Sequence, residues 1–224
     1  MKLFTPRYDD PNSLASRLRR RRAERLPPMI VAISVGNWTC SILDIGGEAS
    51  YWQTAVGLND LRELRAHITL LNHTDKYVGT DLDPALFTVV IADGCQLPFA
   101  DGAFDIAHSN STIEHVGDWQ RREAFAREIR RVARCYYVQT PAFSFPLEPH
   151  YRLPYSRCSR SRRGSGCCST SRWASSRWRR IRPVRFSDDA RPLSRKQFAY
   201  LFPDAIIERE RFLGLTKSLM AVRQ

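Results

Sequence analysis

The sequence predicts a doubly wound α/β domain whose mostly parallel sheet has seven strands and ends in an antiparallel hairpin. Three observations lead to this fold class. Short apolar runs rich in β-branched residues alternate with stretches of helical periodicity over residues 41–140. Turn-forming clusters with glycine follow several of those runs. Two further strand-like runs, joined around Gly214, close the chain and favour an antiparallel edge.

The elements follow in order along the chain. One helix is predicted over Ser50–Ala66, where leucines recur at near-helical spacing, and another over Trp119–Arg134, where an apolar stripe lies among many charged residues. Ser194 is expected to cap a short helix that runs through Phe202. The strand candidates are Ser41–Ile45, His67–Asn72, Phe87–Ala92, Phe104–His108, Cys135–Thr140 and the hairpin pair Ala205–Phe212 and Leu215–Val222.

The chain divides into a polar, partly helical lead-in of residues 1–40 and a domain of residues 41–224. The lead-in holds an Arg-rich helix that Pro27 and Pro28 are expected to stop. It lacks the apolar core of a secretory signal, and no run of eighteen apolar residues occurs in the sequence. The six cysteines lack the paired spacing of a zinc site. These features predict a cytoplasmic protein in a reducing compartment, with no metal site and no transmembrane segment.

The net charge of +12 is concentrated in residues 156–185. This irregular segment holds ten arginines and no acidic residue, so the rest of the chain is left with +2. One interpretation is a disordered Arg/Ser tract that binds nucleic acid through its phosphates. The other is a shifted reading frame, because leucine codons of the form CTG read one base late give cysteines such as Cys167 and Cys168. We favour the frameshift, and the nucleotide sequence decides between the two.

Polar residues and glycines cluster where the predicted strands end. In a doubly wound sheet, ligands bind outside the carboxyl ends of the strands, at the point where the strand order reverses. The sequence therefore predicts a ligand site built from these strand ends. The clusters are Asp44, Gly46 and Gly47 at the first strand, Asn72 at the second, Asp93 and Gly94 at the third, and residues 109–115 at the fourth.

Two of these stretches carry a resemblance to a known family. Residues 42–47 read Ile-Leu-Asp-Ile-Gly-Gly, and residues 93–105 contain an initial Asp, then Leu-Pro-Phe, then Phe-Asp ahead of the fourth strand. Together with residues 109–115, they resemble the class I methyltransferases, specifically the type 11 methyltransferase domain. The resemblance covers residues 42–140 and resumes near Leu193. It implies a Rossmann-like methyltransferase fold, S-adenosylmethionine as the cofactor, and a small-molecule or lipid-like methyl acceptor.

The resemblance assigns the first strand end to the methionine part of the cofactor. A glycine turn at Gly46 and Gly47 would let the backbone approach that part without a Cβ in the way. Asp44 would either organise the turn or meet the cofactor's ammonium group. The chain departs from the family here, because Glu48 and Ser50 stand where the family has its second and third glycines.

The resemblance assigns the next two strand ends to the adenosine part. Asp93 would accept a hydrogen bond from the adenine amino group, and the amide of Gly94 or Cys95 would meet a ring nitrogen. Asn72 stands nearest the place where the family has an acid that binds the ribose hydroxyls. An asparagine could bind a hydroxyl there without the charge assistance of a carboxylate.

Methyl transfer from a sulfonium requires positioning more than proton transfer, so a catalytic base is not obligatory. Where a base is used, His115 and His150 are the candidates, because histidine titrates near neutrality. Asn110, just past the fourth strand, is expected near the reactive methyl. Two alternatives remain: a methyltransferase-fold protein impaired by its glycine loop or its irregular segment, and an Arg-rich nucleic-acid-binding protein. The nucleic-acid-binding alternative is not expected, because no RNA-binding aromatic motif or helix-turn-helix pattern is evident.

Overall fold

A seven-stranded sheet organises the residues that the computed structural model describes, which are 12–34, 39–75, 82–145 and 191–224. The sheet order is β3-β2-β1-β4-β5-β7-β6. Neighbours from β3 to β5 run parallel, whereas β7 runs antiparallel to both β5 and β6. The predicted fold class is therefore confirmed. The strands are β1 (Cys40–Ile45), β2 (Ala66–Asn72), β3 (Phe87–Ile91), β4 (Phe104–Asn110), β5 (Ala133–Pro141), β6 (Ile206–Phe212) and β7 (Leu215–Arg223).

The strand order reverses between β1 and β4. The chain first builds outward from β1 to β2 and β3, and then returns to place β4 and β5 on the other side of β1. Loops after β1 and β4 therefore leave the sheet in opposite directions, which opens a crevice at their carboxyl ends. This is the edge at which the sequence predicts a ligand site.

Helices with recognisable sequence signals connect the strands. The side chain of Asp118 accepts a hydrogen bond from the Arg121 amide at the start of α5, and Ser194 forms a capping box with Gln197 at the start of α6. Within the described part of the chain, no helix is long and apolar enough to cross a membrane. The helices are α1 (Leu14–Ala23), α2 (Leu26–Ile33), α3 (Ala49–Ala55), α4 (Leu58–Glu63), α5 (Trp119–Val132) and α6 (Arg195–Leu201).

The structure corrects three boundaries. The single helix predicted over Ser50–Ala66 is wrong, because Gly57 adopts a φ of 103° and separates α3 from α4. Pro27 and Pro28 do not stop a helix; they occupy the first turn of α2, where a missing N–H is tolerated. The fourth strand extends two residues further than predicted, so Asn110 ends β4 instead of following it.

Apolar side chains cover both faces of the sheet. Successive residues of β1 alternate between the two faces, so that Ile42 packs with α2 and α3 whereas Leu43 packs with α5 and α6. The largest fully buried side chains include Trp52 and Tyr137 on the first face and Phe125 and Phe198 on the second. Helices on both faces of a mostly parallel sheet make the fold doubly wound.

The chain consists of two compact units. All described residues belong to the first unit, Met1–Phe145 with Asp189–Gln224. The second unit, Pro146–Asp188, contains His150 and the whole irregular segment 156–185, and it lies outside the described residues. The two interpretations of that segment therefore stay as the sequence left them.

Candidate active site

The ends of β1 and β2 are joined by hydrogen bonds at the crevice. The Gly46 amide donates to the Leu71 carbonyl at 2.7 Å, which continues the β1–β2 pairing past the end of β1. The Asn72 side-chain amide donates to the Gly47 carbonyl at 2.8 Å, and Asn72 is 5% exposed. The structure thus brings Asn72 to the glycine turn, and its Nδ2 group binds the turn itself.

The turn after β1 has no room for side chains. Gly46 has a φ of 76°, and a Cβ on it would lie 2.4 Å from the Thr112 Oγ1. A Cβ on Gly47 would lie 1.8 Å from the Oδ2 of Asp44. Both distances are far below van der Waals contact, so the turn needs glycine at both positions although only Gly46 matches the family spacing.

Asp44 lies beneath this turn and is 1% exposed. Its Oδ2 accepts a 2.7 Å hydrogen bond from the indole Nε1 of Trp52, and its Oδ1 accepts one from the Nδ1 of His108, also at 2.7 Å. Both carboxylate oxygens are therefore engaged inside the protein. Of the two roles that the sequence left open for Asp44, this geometry supports the organisation of the turn.

Sequence analysis missed Trp52 and His108. Trp52 lies in α3, and His108 lies in β4 directly beside Asp44 in the parallel register. The available signal was a histidine inside an otherwise apolar strand, Phe104–Asn110. Such a residue must find a polar partner when it is buried. The identity of that partner depends on the pairing register, which periodicity alone does not give.

Asp93 follows β3 and forms an ion pair with Arg121 of α5. An Arg121 Nη2 donates to both Asp93 oxygens at 3.0 Å, and the Cys95 amide donates to Asp93 at 2.9 Å. The Cys95 amide chiefly, and then Arg121, hold the pKa of Asp93 below its ordinary value. Arg121 also donates through Nε to the Val116 carbonyl at 2.7 Å. An adenine amino group would therefore share the Asp93 carboxylate with a guanidinium that the sequence analysis did not anticipate.

The two residues after Asp93 are half-buried. A Cβ on Gly94 would lie 2.9 Å from a methyl of Ile45 and 3.0 Å from the ring of Phe125, so the loop passes close to the core. The Cys95 thiol donates to the Arg121 carbonyl at 3.3 Å, and burial raises its pKa to about 11. Gly94 thus has a packing role, and the Cys95 amide is already bound to Asp93.

The end of β4 carries the remaining candidates. Asn110 is half-buried, and Ser111 after it has a φ of 58° and donates to the Gln139 side chain at 2.8 Å. His115 is exposed in the following turn, where its amide donates to the Thr112 carbonyl. Its role as a base stays a prediction. Over the described ranges, no three His, Cys, Asp or Glu side chains form a group that could hold a metal ion.

Comparisons with known proteins show what this chain is similar to. Residues 49–135, less than half of the chain, match a family described as a methyltransferase domain. Magnesium protoporphyrin IX methyltransferase from Synechocystis PCC 6803, solved with bound SAM, aligns with a TM-score of 0.54 at 11% identity, over 97% of this chain and 88% of that one. No curated protein matches the sequence.

Two further structures are similar to this chain. A chain from the complex of the Haloferax volcanii Trm112 methyltransferase activator with a methyltransferase aligns with a TM-score of 0.52 at 14% identity, over 96% of this chain and 95% of that one. A Galdieria sulphuraria protein described as a sarcosine dimethylglycine methyltransferase aligns with a TM-score of 0.43 at 15% identity, over 57% of this chain and only 46% of that one. Residues 49–135 are thus similar to a methyltransferase domain, and the described residues share the fold of solved methyltransferases.

Proposed function

We propose that this chain binds S-adenosylmethionine along the carboxyl ends of β1 to β4 and transfers its methyl group to a small-molecule or lipid-like acceptor. The observation that carries this proposal is the turn at Gly46 and Gly47. A Cβ at either position would collide with a neighbouring side chain, and the turn lies where the strand order reverses. Bound there, the cofactor supplies an electrophilic methyl on a sulfonium.

The residues present fit the cofactor in three places. The turn offers bare backbone to the methionine part, and the Asn72 side chain fixes the turn from β2. Asp93 offers a carboxylate at the end of β3, half exposed and kept ionised by its neighbours. Gly94 keeps that loop close to the sheet. These groups bind and orient, which is the main requirement for an in-line methyl transfer.

The acceptor side is proposed at the ends of β4 and β5. Asn110 ends β4, and the Ser111–Gln139 hydrogen bond links that strand end to β5. His115 stands in the turn beyond them and would take a proton from an acceptor that must lose one. One of the similar structures is a magnesium protoporphyrin IX methyltransferase, which supports a small-molecule acceptor.

The nucleic-acid alternative makes a different prediction. Binding through phosphates weakens steeply with salt, because condensed counterions are released on association. Under that alternative, affinity for single-stranded RNA should fall with added salt and should be lost when residues 156–185 are deleted. Cofactor binding at the sheet should be insensitive to both changes.

Calorimetric titration of the full chain with S-adenosylhomocysteine tests the proposal. We expect micromolar binding that is weakened at least tenfold in Asp93→Ala, because a charge-assisted hydrogen bond is lost. The matched control is Asp101→Ala, which also removes an aspartate from an arginine, here Arg131 at 2.8 Å. Asp101 precedes the amino end of β4, which begins at Phe104, whereas the cofactor is proposed at the carboxyl ends of the strands, so the Asp101 variant should bind as the wild type does. A folded wild-type chain that does not bind would overturn the proposed function.

A further inference from the structure

Two buried donors hold the Asp44 carboxylate, and neither belongs to a motif that the sequence analysis used. Trp52 and His108 each donate to a different Asp44 oxygen at 2.7 Å. Trp52 is fully buried, and Asp44 and His108 are each 1% exposed. A carboxylate that is isolated from water needs such donors for both oxygens.

His108 is oriented by Asp44. A carboxylate oxygen accepts and an imidazole N–H donates, so the tautomer of His108 with a proton on Nδ1 satisfies the hydrogen bond to Asp44. The other ring nitrogen, Nε2, is buried and has no hydrogen-bond partner among the described residues. Aromatic rings surround the imidazole, with Tyr51 at 5.0 Å, Trp52 at 5.1 Å and Tyr137 stacked at 5.8 Å. The rings hold the plane of the imidazole, and the hydrogen bond to Asp44 satisfies its Nδ1.

The carboxylate lies directly against the glycine turn. The position that a Cβ of Gly47 would take is 1.8 Å from Oδ2 and 2.1 Å from Cγ of Asp44. The carbonyl of the same glycine is held on its other side by Asn72. Gly47 therefore lies between the carboxylate of Asp44 and the side-chain amide of Asn72. A rotation of the carboxylate would change its contact with Gly47.

We infer that His108 is a positioning residue of the cofactor site, acting through Asp44 on the backbone of the Gly46–Gly47 turn. Trp52 shares this role by fixing the second oxygen. The inference rests on the proposed function, because the turn matters only when a cofactor lies against it. It assigns His108 no contact with substrate and no proton transfer.

Three substitutions of His108 separate positioning from simple packing. Asparagine can place its amide donor where Nδ1 stands, glutamine places its donor nearer Nε2, and leucine has no donor. We expect His108→Asn to bind S-adenosylhomocysteine within about twofold of wild type, whereas His108→Gln and His108→Leu should bind about tenfold or more weakly. Tyr137→Phe is the control, because it removes a buried hydroxyl of the same cluster that does not contact Asp44.

A second readout reports the carboxylate without the cofactor. The indole N–H resonance of Trp52, assigned by its loss in Trp52→Phe, should keep its position in His108→Asn and move in His108→Gln and His108→Leu. Equal affinities and an unmoved indole resonance in all three variants would overturn the inference while leaving the proposed function intact. A folded wild type that fails to bind S-adenosylhomocysteine overturns the proposed function and, with it, the role given to His108. Should His108→Leu not fold, the asparagine and glutamine pair decides.

Discussion

Replacing Gly47 by alanine is the perturbation whose consequence follows most directly from the structure. The new Cβ would lie 1.8 Å from the Asp44 Oδ2, whereas ordinary contact begins near 3.4 Å. The carboxylate would have to withdraw by about 1.6 Å, the difference between those two distances. Its hydrogen bonds to Trp52 and His108, both 2.7 Å long, could not survive such a movement.

The magnitude follows from the two bonds that would be lost. A hydrogen bond to a charged group contributes roughly 1.5–3 kcal/mol, so the loss of two should lower the free energy of unfolding by about 3–6 kcal/mol. This is a large part of the roughly 5–15 kcal/mol that a domain possesses. Urea denaturation followed by circular dichroism measures the change. Calorimetry on whatever fraction is folded should detect no binding of S-adenosylhomocysteine.

Gly102→Ala provides the matched control. Gly102, unlike Gly47, has a positive φ, 63°, but a Cβ on it would meet nothing within 4 Å. Its substitution should therefore cost only the backbone strain of about 1–2 kcal/mol and leave cofactor binding unchanged. A Gly47→Ala chain as stable as Gly102→Ala, with wild-type affinity, would refute the reasoning about the turn.

Three further predictions concern single groups. Asn72→Ala removes the donor to the Gly47 carbonyl, so it should lower the free energy of unfolding by about 1–2 kcal/mol and weaken cofactor binding; a variant with wild-type affinity would contradict this. Burial raises the pKa of the Cys40 thiol to about 12 and that of Cys95 to about 11. Iodoacetamide at about pH 8 should therefore label both thiols slowly until the chain unfolds, and peptide mass mapping measures the labelling. The pKa of Asp93 is lower in the folded chain than in the unfolded chain. Its contribution to stability is therefore present above the unfolded value of about 3.9 and is lost as the pH falls through the lower folded value. Carboxyl NMR titration checks the direction, and a raised pKa would count against the ion pair with Arg121.

Local patterns predicted the architecture because each rests on contacts near in sequence. The alternation of apolar runs with helical stripes predicted all seven strands, and Ser194 was correctly predicted as a helix cap. The error at Gly57 arose because leucine spacing continues across it, whereas its positive φ is a backbone property that spacing does not reveal. The prediction for Pro27 was wrong for a similar reason. Proline breaks the interior of a helix but is tolerated in its first turn, and spacing alone did not show that Pro27 stands in the first turn of α2.

The site was predictable only in part, for a different physical reason. The strand ends carry Asp44 and Asp93 in recognisable positions, because parallel topology gathers carboxyl ends at one edge. Their partners come from distant segments: His108 is 64 residues from Asp44, and Arg121 is 28 residues from Asp93. Such pairs depend on strand register and helix packing, so they emerge only once the chain is folded in three dimensions.

The proposed function requires a cofactor along the carboxyl ends of β1 to β4. A crystal structure of the full chain with S-adenosylhomocysteine tests it most directly. We expect the amino-acid part of the ligand against the backbone of Gly46 and Gly47, the adenine beside Asp93, and Asp44 still bound to Trp52 and His108 below the turn. Ligand density elsewhere, or a turn filled by a rearranged side chain, would contradict it.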